Sequence, residues 1–361
     1  MTKSEFLLLV TIVCAVLLIG VLCGIIFTCA GAEKQTLQID ETIIEEPHEP
    51  EDIEDEDEEY TESEQTANTG VRVSHQTSRV SSLSDINRIR GRVNVSEIDP
   101  VNFNNPDIDV LRQMGADPYL ISFFTGEQFY RNADYDRAIA EYTASINRNG
   151  EFSASYVSRG NAWMRKREYS RAIDDYSRAI RLDGSRAELY NYRGFARTEL
   201  ASSRNHSELN LAIEDFSRAL VLNRNYIDAL VNRSHVYYQI GNYDKTIEDC
   251  DQIIRLEPGN AVIWNRRGSA WYRKENDERA ISDFTEAIRL NANYAIAWYN
   301  RGNAYYNRRE YDKALADLNR CLAINSSFAA AYISRGNILS LLGNTESAAA
   351  DYAAAQRLQS R

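Results

Sequence analysis

The chain has 361 residues and a formal charge of −12, and this charge is distributed unevenly. Residues 33–64 hold sixteen Asp or Glu and one Lys, and residues 1–32 are balanced, so subtracting −15 from −12 leaves +3 for residues 65–361. A nearly neutral folded part argues against a nucleic-acid-binding protein, which is expected to show a strongly basic domain. The five cysteines do not suggest a disulfide framework, because three lie in an apolar stretch and two fall on interior positions of a repeat.

The chain begins with an apolar stretch, Phe6–Cys29, of 24 residues without a charge. As a helix it would be about 36 Å long, enough to cross a hydrocarbon core of roughly 30 Å, so it predicts a membrane-spanning anchor. A cleaved signal peptide is the alternative, because Ala30-Gly31-Ala32 resembles a cleavage site, although signal peptides usually have shorter apolar regions. Lys3 favours an amino terminus inside the cell with the rest of the chain outside the cytoplasm. The spacing of Gly20 and Gly24 could let two such helices pair.

Residues 33–105 are predicted to be a disordered linker. The block Glu33–Glu64 repels itself and cannot bury a core, and residues 65–105 are polar without sustained periodicity. Its end differs, since Asn105-Pro106-Asp107 precedes several apolar residues and Gly115. We expect a short helix within 106–118 that covers the exposed apolar end of the next segment.

The remaining residues form an internal repeat. Ala295–Phe328 aligns with Ala261–Tyr294, 34 residues earlier, and the alignment extends over seven units. Such a period indicates stacked supersecondary units. The predicted units are 119–152, 153–186, 187–226, 227–260, 261–294, 295–328 and 329–361. The third unit contains six extra residues around Ala201–Leu209, which predicts an insertion at one edge of the array.

Each unit is predicted to contain two helices joined by a turn. In the sixth unit Trp298, Gly302 and Tyr305 form one stripe at helical spacing, and a second stripe begins at Ala314. A glycine column recurs at Gly126, Gly160, Gly194, Gly268, Gly302 and Gly336, with Ser234 as the exception. An alanine column recurs at Ala138, Ala172, Ala212, Ala280, Ala314 and Ala348, with Thr246 as the exception. An aromatic column recurs at Tyr142, Tyr176, Phe216, Phe284 and Tyr352, with Cys250 and Leu318 as exceptions.

These columns closely resemble the tetratricopeptide repeat, over residues 119–361. The resemblance implies an all-α, right-handed α-solenoid whose first helices line a concave groove for peptides or protein segments. We expect groove-facing side chains at Asn161, Arg165, Asn191, Tyr238, Asn265, Tyr272, Arg273, Tyr299, Asn303, Tyr306, Asn307 and Asn337. Asn can bond a peptide backbone as donor and acceptor, and Tyr and Arg are frequent anchors. The alternative interpretation is a solvated polar face.

Nothing in the sequence predicts chemistry. No nucleophile elbow, phosphate-binding glycine loop or metal-spaced His or Cys pair occurs, so we predict neither catalysis nor a cofactor nor a metal. Recurring acidic pairs in the second helices, such as Asp174-Asp175 and Glu248-Asp249, are interpreted as solvated. The carboxylate clamp of chaperone-binding family members is missing, because Val157 occupies the position of its first lysine.

The sequence therefore predicts a single-pass membrane protein, with a bacterial style of repeat, that binds a protein or peptide partner and no nucleic acid. One alternative is a structural envelope protein that self-assembles through Gly20 and Gly24 or through the last repeat. Another alternative places the acidic stretch in the groove as an autoinhibitor.

Overall fold

The computed structural model describes residues 108–113, 115–203 and 207–359. The predicted anchor Phe6–Cys29 with Gly20 and Gly24, the linker 33–105 and the centre of the insertion at 204–206 lie outside this part. Within the described residues, no helix is both long enough and apolar enough to cross a membrane.

The described chain consists of fifteen α-helices and contains no strand. A short helix, α1 (Ile108–Gln113), precedes seven helix pairs. The first helices of the pairs are α2 (Pro118–Arg131), α4 (Ser153–Arg165), α6 (Ala187–Ser203), α8 (Ile227–Gln239), α10 (Ala261–Arg273), α12 (Ala295–Asn307) and α14 (Ala329–Leu341). The second helices are α3 (Tyr135–Arg148), α5 (Tyr169–Leu182), α7 (Glu208–Leu222), α9 (Tyr243–Leu256), α11 (Asp277–Leu290), α13 (Tyr311–Ile324) and α15 (Thr345–Gln359). The predicted all-α solenoid is confirmed.

Each pair turns at one repeat position, two residues after the last residue of the first helix. Six units have a left-handed backbone there: Ala133, Arg167, Gly241, Glu275, Arg309 and Gly343, with φ between 56° and 80°. The following helix is capped where the sequence allows it. Asp134, Asn242 and Asn276 each accept a hydrogen bond from the backbone N–H three residues on, which satisfies one of the free donors of a helix start.

The glycine column lets an aromatic ring of the second helix lie against the backbone of the first. A Cβ atom at Gly268 would be 2.7 Å from the Phe284 ring, and one at Gly160 would be 2.7 Å from the Tyr176 ring. The fourth unit keeps the fit by a paired exchange. Its ring is replaced by the small Cys250, and the opposing glycine is replaced by the larger Ser234; both residues are buried. The two exceptional residues of this unit therefore compensate for each other in size at one helix–helix contact.

The first unit is covered by α1, whose Ile108 and Leu111 join the core around Phe123 and Tyr142. At the insertion, α6 is lengthened to 17 residues and α7 begins at Glu208. Both helices remain packed against each other, so the extra residues leave the helical pair intact.

Candidate functional site on the first-helix face

The first helices of the units share one face of the array. Helices α2 and α4, α6 and α8, α10 and α12, and α12 and α14 contact each other directly across unit boundaries. In a curved stack, the layer whose helices lie closer together is the inner one. We call this surface, formed by α2, α4, α6, α8, α10, α12 and α14, the first-helix face.

Nine of the twelve residues expected to face a groove retain surface on this face. Arg165 and Asn307 are exposed. The half-buried ones are Asn161, Tyr238, Tyr272, Arg273, Asn303, Tyr306 and Asn337. The remaining three differ from the expectation, because Asn191, Asn265 and Tyr299 are buried. Neighbouring first helices approach closely enough to cover them.

The buried asparagines join successive first helices. Asn232 Nδ2 donates to Asn191 Oδ1 at 3.0 Å, and Asn300 Nδ2 donates to Asn265 Oδ1 at 3.0 Å. Asn191 Nδ2 also donates to the hydroxyl of Tyr226 at 3.4 Å. An unsatisfied buried amide is costly, so these paired amides favour one register between the helices.

Two half-buried asparagines have their amides oriented by a tyrosine of their own unit. The Tyr176 hydroxyl donates to Asn161 Oδ1 at 2.7 Å, and the Tyr352 hydroxyl donates to Asn337 Oδ1 at 2.9 Å. Because each amide oxygen accepts a hydrogen bond from the tyrosine hydroxyl, the NH₂ group of the asparagine remains available to a ligand at the surface. In the first unit Glu127 occupies the equivalent position and accepts from Tyr142 at 2.8 Å.

Residues near the ends of three first helices connect to the preceding unit. Arg165 Nε donates to the Tyr135 hydroxyl at 3.0 Å, and Arg273 Nε donates to the Tyr243 hydroxyl at 3.1 Å. Asn307 Nδ2 donates to Asp277 Oδ1 at 3.5 Å. The predicted arginine anchors therefore already hold structural bonds.

The tyrosines of this face are partly desolvated. The rings of Tyr238 and Tyr243 meet edge to face at 5.5 Å, and those of Tyr306 and Tyr311 lie 5.8 Å apart. Burial raises the pKa of Tyr272 and of Tyr306 above the usual value. Both hydroxyls consequently stay protonated and act as neutral hydrogen-bonding groups.

An arginine clasp, which the sequence interpretation missed, recurs in six units. The arginine one residue before the glycine column makes two hydrogen bonds to an aspartate of its own second helix, and a third to the preceding second helix. Arg301, for example, binds Asp317 at 2.7 and 2.9 Å and Thr285 Oγ1 at 3.0 Å. The six aspartates are Asp175, Asp215, Asp249, Asp283, Asp317 and Asp351.

The clasps correct the interpretation of the acidic pairs as solvated. Asp175 and Asp249 are buried, whereas their neighbours Asp174 and Glu248 are exposed. The recurrence of Arg one residue before the glycine column, with Asp 16 residues later, was the available signal; in the third unit the insertion extends this spacing to 22 residues.

His235, on the first helix of the fourth unit, is a buried titratable residue. The residue is 7% exposed, and its Nδ1 atom has no hydrogen-bond partner in the described structure. Burial, with a further contribution from the nearby Arg266 charge, lowers the pKa of His235 to about 3. The imidazole is therefore neutral at physiological pH.

The described residues contain no group of three His, Cys, Asp or Glu side chains that could hold a metal ion. Cys250 and Cys321 are buried free thiols, and burial raises the pKa of each to about 12. Such thiols are poor nucleophiles and poor metal ligands, because the thiolate is the reactive form.

Comparison with protein families gives tetratricopeptide repeat models. They match residues 125–187, 227–260, 295–328 and 329–361, and a further TPR repeat model matches 268–308. Comparison with the curated proteins gives no match.

Several solved structures are similar. A tetratricopeptide repeat protein from Parabacteroides merdae is 20% identical, with 67% of this chain and 93% of that chain covered and a TM-score of 0.54. A MamA structure is 26% identical, with coverage of 44% and 93% and a TM-score of 0.41. YrrB, described as having an unusual peptide-binding site, is 21% identical, with coverage of 52% and 94% and a TM-score of 0.46. The first of these supports the solenoid fold.

Proposed function

Because the chain belongs to the tetratricopeptide repeat family, we propose that it is a protein-interaction scaffold that binds an extended peptide or protein segment along its first-helix face. We further propose that Phe6–Cys29 anchors it in a membrane, with the repeats outside the cytoplasm of a bacterial cell.

The observation that carries the binding proposal is the pre-oriented amides of Asn161 and Asn337. Each amide oxygen accepts from a tyrosine, so each NH₂ group is presented in a fixed direction. Fixed donors suit the carbonyl oxygens of an extended backbone, and little side-chain entropy is lost on binding. Half-buried Tyr238, Tyr272 and Tyr306 add aromatic surface with neutral hydroxyls to the same face.

The test must separate binding from folding, since replacing either asparagine by an apolar residue would strand a tyrosine hydroxyl. Asn161→Asp and Asn337→Asp retain an acceptor for the tyrosine and remove the NH₂ donors. Asn291→Asp and Asn319→Asp, at exposed positions away from this face, add the same charge. Proteins that co-purify with the full chain from membranes are compared quantitatively between the two double variants.

We expect the first double variant to bind its main co-purifying protein about thirtyfold more weakly, because two hydrogen bonds worth on the order of 1 kcal/mol each together contribute about 2 kcal/mol. The control pair should retain it. Equal loss in both pairs, or in neither, would refute binding through these amides.

The membrane proposal has a separate test. Proteinase is added to intact cells or spheroplasts that carry the full chain with a tag after Arg361. Digestion without lysis is expected. Protection until lysis would place the repeats in the cytoplasm.

Self-assembly through the last repeat is less well supported. The second helix of that unit has Thr345, Ala349 and Gln356 exposed where the sixth unit has Tyr311, Leu315 and Leu322. Small and polar side chains suit a solvated end of an array rather than a stacking surface. The autoinhibitor alternative is weakened by the hydrogen bonds that Arg165 and Arg273 already make.

A further inference from the structure

A row of arginines follows the carboxyl-terminal halves of the second helices. Six consecutive units contribute at least one arginine at either of two positions that are three residues apart, on one helix face. We call these residues the arginine row. Its members are Arg178, Arg181, Arg218, Arg255, Arg289, Arg320 and Arg357. Because the same two positions recur in successive second helices, the arginine row follows the repeat along the array.

Three members of the row have no side-chain hydrogen bond, ion pair or contact with an aromatic ring within the described residues. Arg181, Arg255 and Arg320 are all exposed. Others are engaged: Arg289 pairs with Glu286 at 2.6 Å, and Arg178 lies 5.9 Å above the Tyr156 ring. An unpaired guanidinium in each of three different units leaves donors for an external anion.

The charge of the row is not cancelled locally. Glu286 is the one acidic residue at the two repeat positions. One turn earlier on the same helices, Asp174, Glu214 and Glu248 are exposed acidic residues, in three units out of six. Along the row, positive charge therefore dominates toward the carboxyl ends of the second helices, and charges of both signs occur toward the helix centres.

Interaction with the helix dipole does not account for the whole row. A basic residue in the last turn of a helix is favourable, which explains Arg181 and Arg255. The last turns of α7 and α13 contain no basic residue, so Arg218 and Arg320 lie outside the range of this effect. Their recurrence needs another reason.

The anion that fits is a carboxylate-bearing protein segment rather than a nucleic acid. Single-stranded nucleic acid binding combines basic residues with free aromatic faces on which bases stack. The aromatic rings that row members contact already carry guanidinium groups, since Arg178 lies 5.9 Å above Tyr156 and Arg218 lies 5.9 Å above Tyr190. At the equivalent position of later units, Arg267 lies 4.7 Å above Trp264 and Arg301 lies 4.9 Å above Trp298. A planar guanidinium binds a carboxylate through two parallel hydrogen bonds.

We propose that the arginine row is a second interaction surface of the scaffold, which binds an acidic, extended protein segment. The surface is separate from the first-helix face, so a partner held there and an acidic segment on the row can be bound together. Arg181, Arg255 and Arg320 are the residues expected to contribute most, because they are exposed and free of internal partners.

The test uses the full chain and a fluorescein-labelled peptide of alternating glutamate and serine, with the glutamine analogue as the neutral probe. Binding is followed by fluorescence anisotropy. The triple variant Arg181→Gln/Arg255→Gln/Arg320→Gln is compared with Arg167→Gln/Arg309→Gln/Lys313→Gln, which removes three exposed cations near the opposite ends of second helices. Circular dichroism verifies that both variants fold.

The measurement is repeated in a chain whose Asp and Glu residues at 51–59 are changed to their amides, which removes the chain's own anionic competitor. A single-stranded oligonucleotide of equal charge serves as the competing ligand class.

We expect the acidic peptide to bind, the neutral peptide not to bind, and affinity to fall as salt rises from about 0.05 to 0.5 M. The row variant should bind about tenfold more weakly, on the order of twofold for each exposed charge contact, and the control variant should bind like the parent. Three results would overturn the proposal: no peptide binding in either chain, equal weakening in both triple variants, or stronger binding of the oligonucleotide. Variants of Asn161 and Asn337 should leave peptide binding unchanged, which keeps this test independent of the first-helix face.

Discussion

Breaking the Arg301 clasp should destabilise the array by an amount that can be estimated from its contacts. Arg301 makes two hydrogen bonds to Asp317 and one to Thr285, and the two charged side chains are 15% and 7% exposed. Arg301→Met would leave the Asp317 carboxylate buried without its partner. Loss of one member of a buried pair costs about 3–5 kcal/mol, and the residual exposure places this site near the lower end, at about 3 kcal/mol.

The double variant Arg301→Met/Asp317→Leu should be much less damaging than the single variant. Replacing a buried ion pair by apolar residues of similar volume is often neutral, so we expect a stability within about 1 kcal/mol of the parent. Arg301→Lys keeps the charge and loses the two-pronged geometry, which should cost about 1–2 kcal/mol. Thr285→Val should cost about 1 kcal/mol, because it removes the bond that crosses to the preceding unit.

Urea unfolding of the purified full chain, followed by circular dichroism, measures these differences. Arg309→Met is the matched control, since Arg309 is exposed and has no side-chain partner in the described structure, and it should change stability by less than about 0.5 kcal/mol. If Arg301→Met were as mild as this control, or if the double variant were no better than the single one, the clasp would not be a stabilising unit.

Other predictions concern packing, backbone strain and pH. Gly268→Ala should cost about 1–3 kcal/mol in urea unfolding, because its Cβ would meet Phe284 at 2.7 Å. Gly343→Ala should cost about 1 kcal/mol through strain alone, since its φ is +80° and no atom lies within 4 Å of the added Cβ. His235 is neutral in the fold with a pKa of about 3 and titrates near 6.5 when unfolded, so its contribution is complete above pH 6.5 and falls by about 1.4 kcal/mol per pH unit below that. Stability measured at pH 6.5 and 4.5 should therefore show that His235→Asn has a shallower loss than the parent, and parallel losses would contradict this.

The repeat made the fold predictable because its signal depends on side-chain volume at close contacts. Glycine, alanine and aromatic residues recur where two helices touch, and the structure places the Phe284 ring directly on Gly268. Even the exceptional unit could have been interpreted in this way, since Ser234 and Cys250 change size in opposite directions across one contact.

The polar connections were harder to predict, because they join residues across unit boundaries. Asn265 bonds to Asn300, which is 35 residues later, one more than the period. The stagger between neighbouring helices decides which of their positions face each other. The periodicity of a single unit carries no information about this stagger. The same limit explains why Asn191 and Tyr299 were expected on an open face and are buried.

Segments without repeats are a different case. The predicted anchor Phe6–Cys29, the linker 33–105 and the pairing of Gly20 with Gly24 remain predictions from composition and spacing. Their test is the proteinase experiment on the tagged full chain.

We propose that a partner lies along the first-helix face. A photo-activatable amino acid at Tyr272 or at Asn303 in the full chain, irradiated in native membranes, would capture such a partner. Ser282 and Ala316, exposed on second helices, are the matched control positions. We predict one shared cross-linked protein from the two first-helix positions and none from the controls. Cross-links from the control positions alone, or from none of the four, would contradict a binding role for this face.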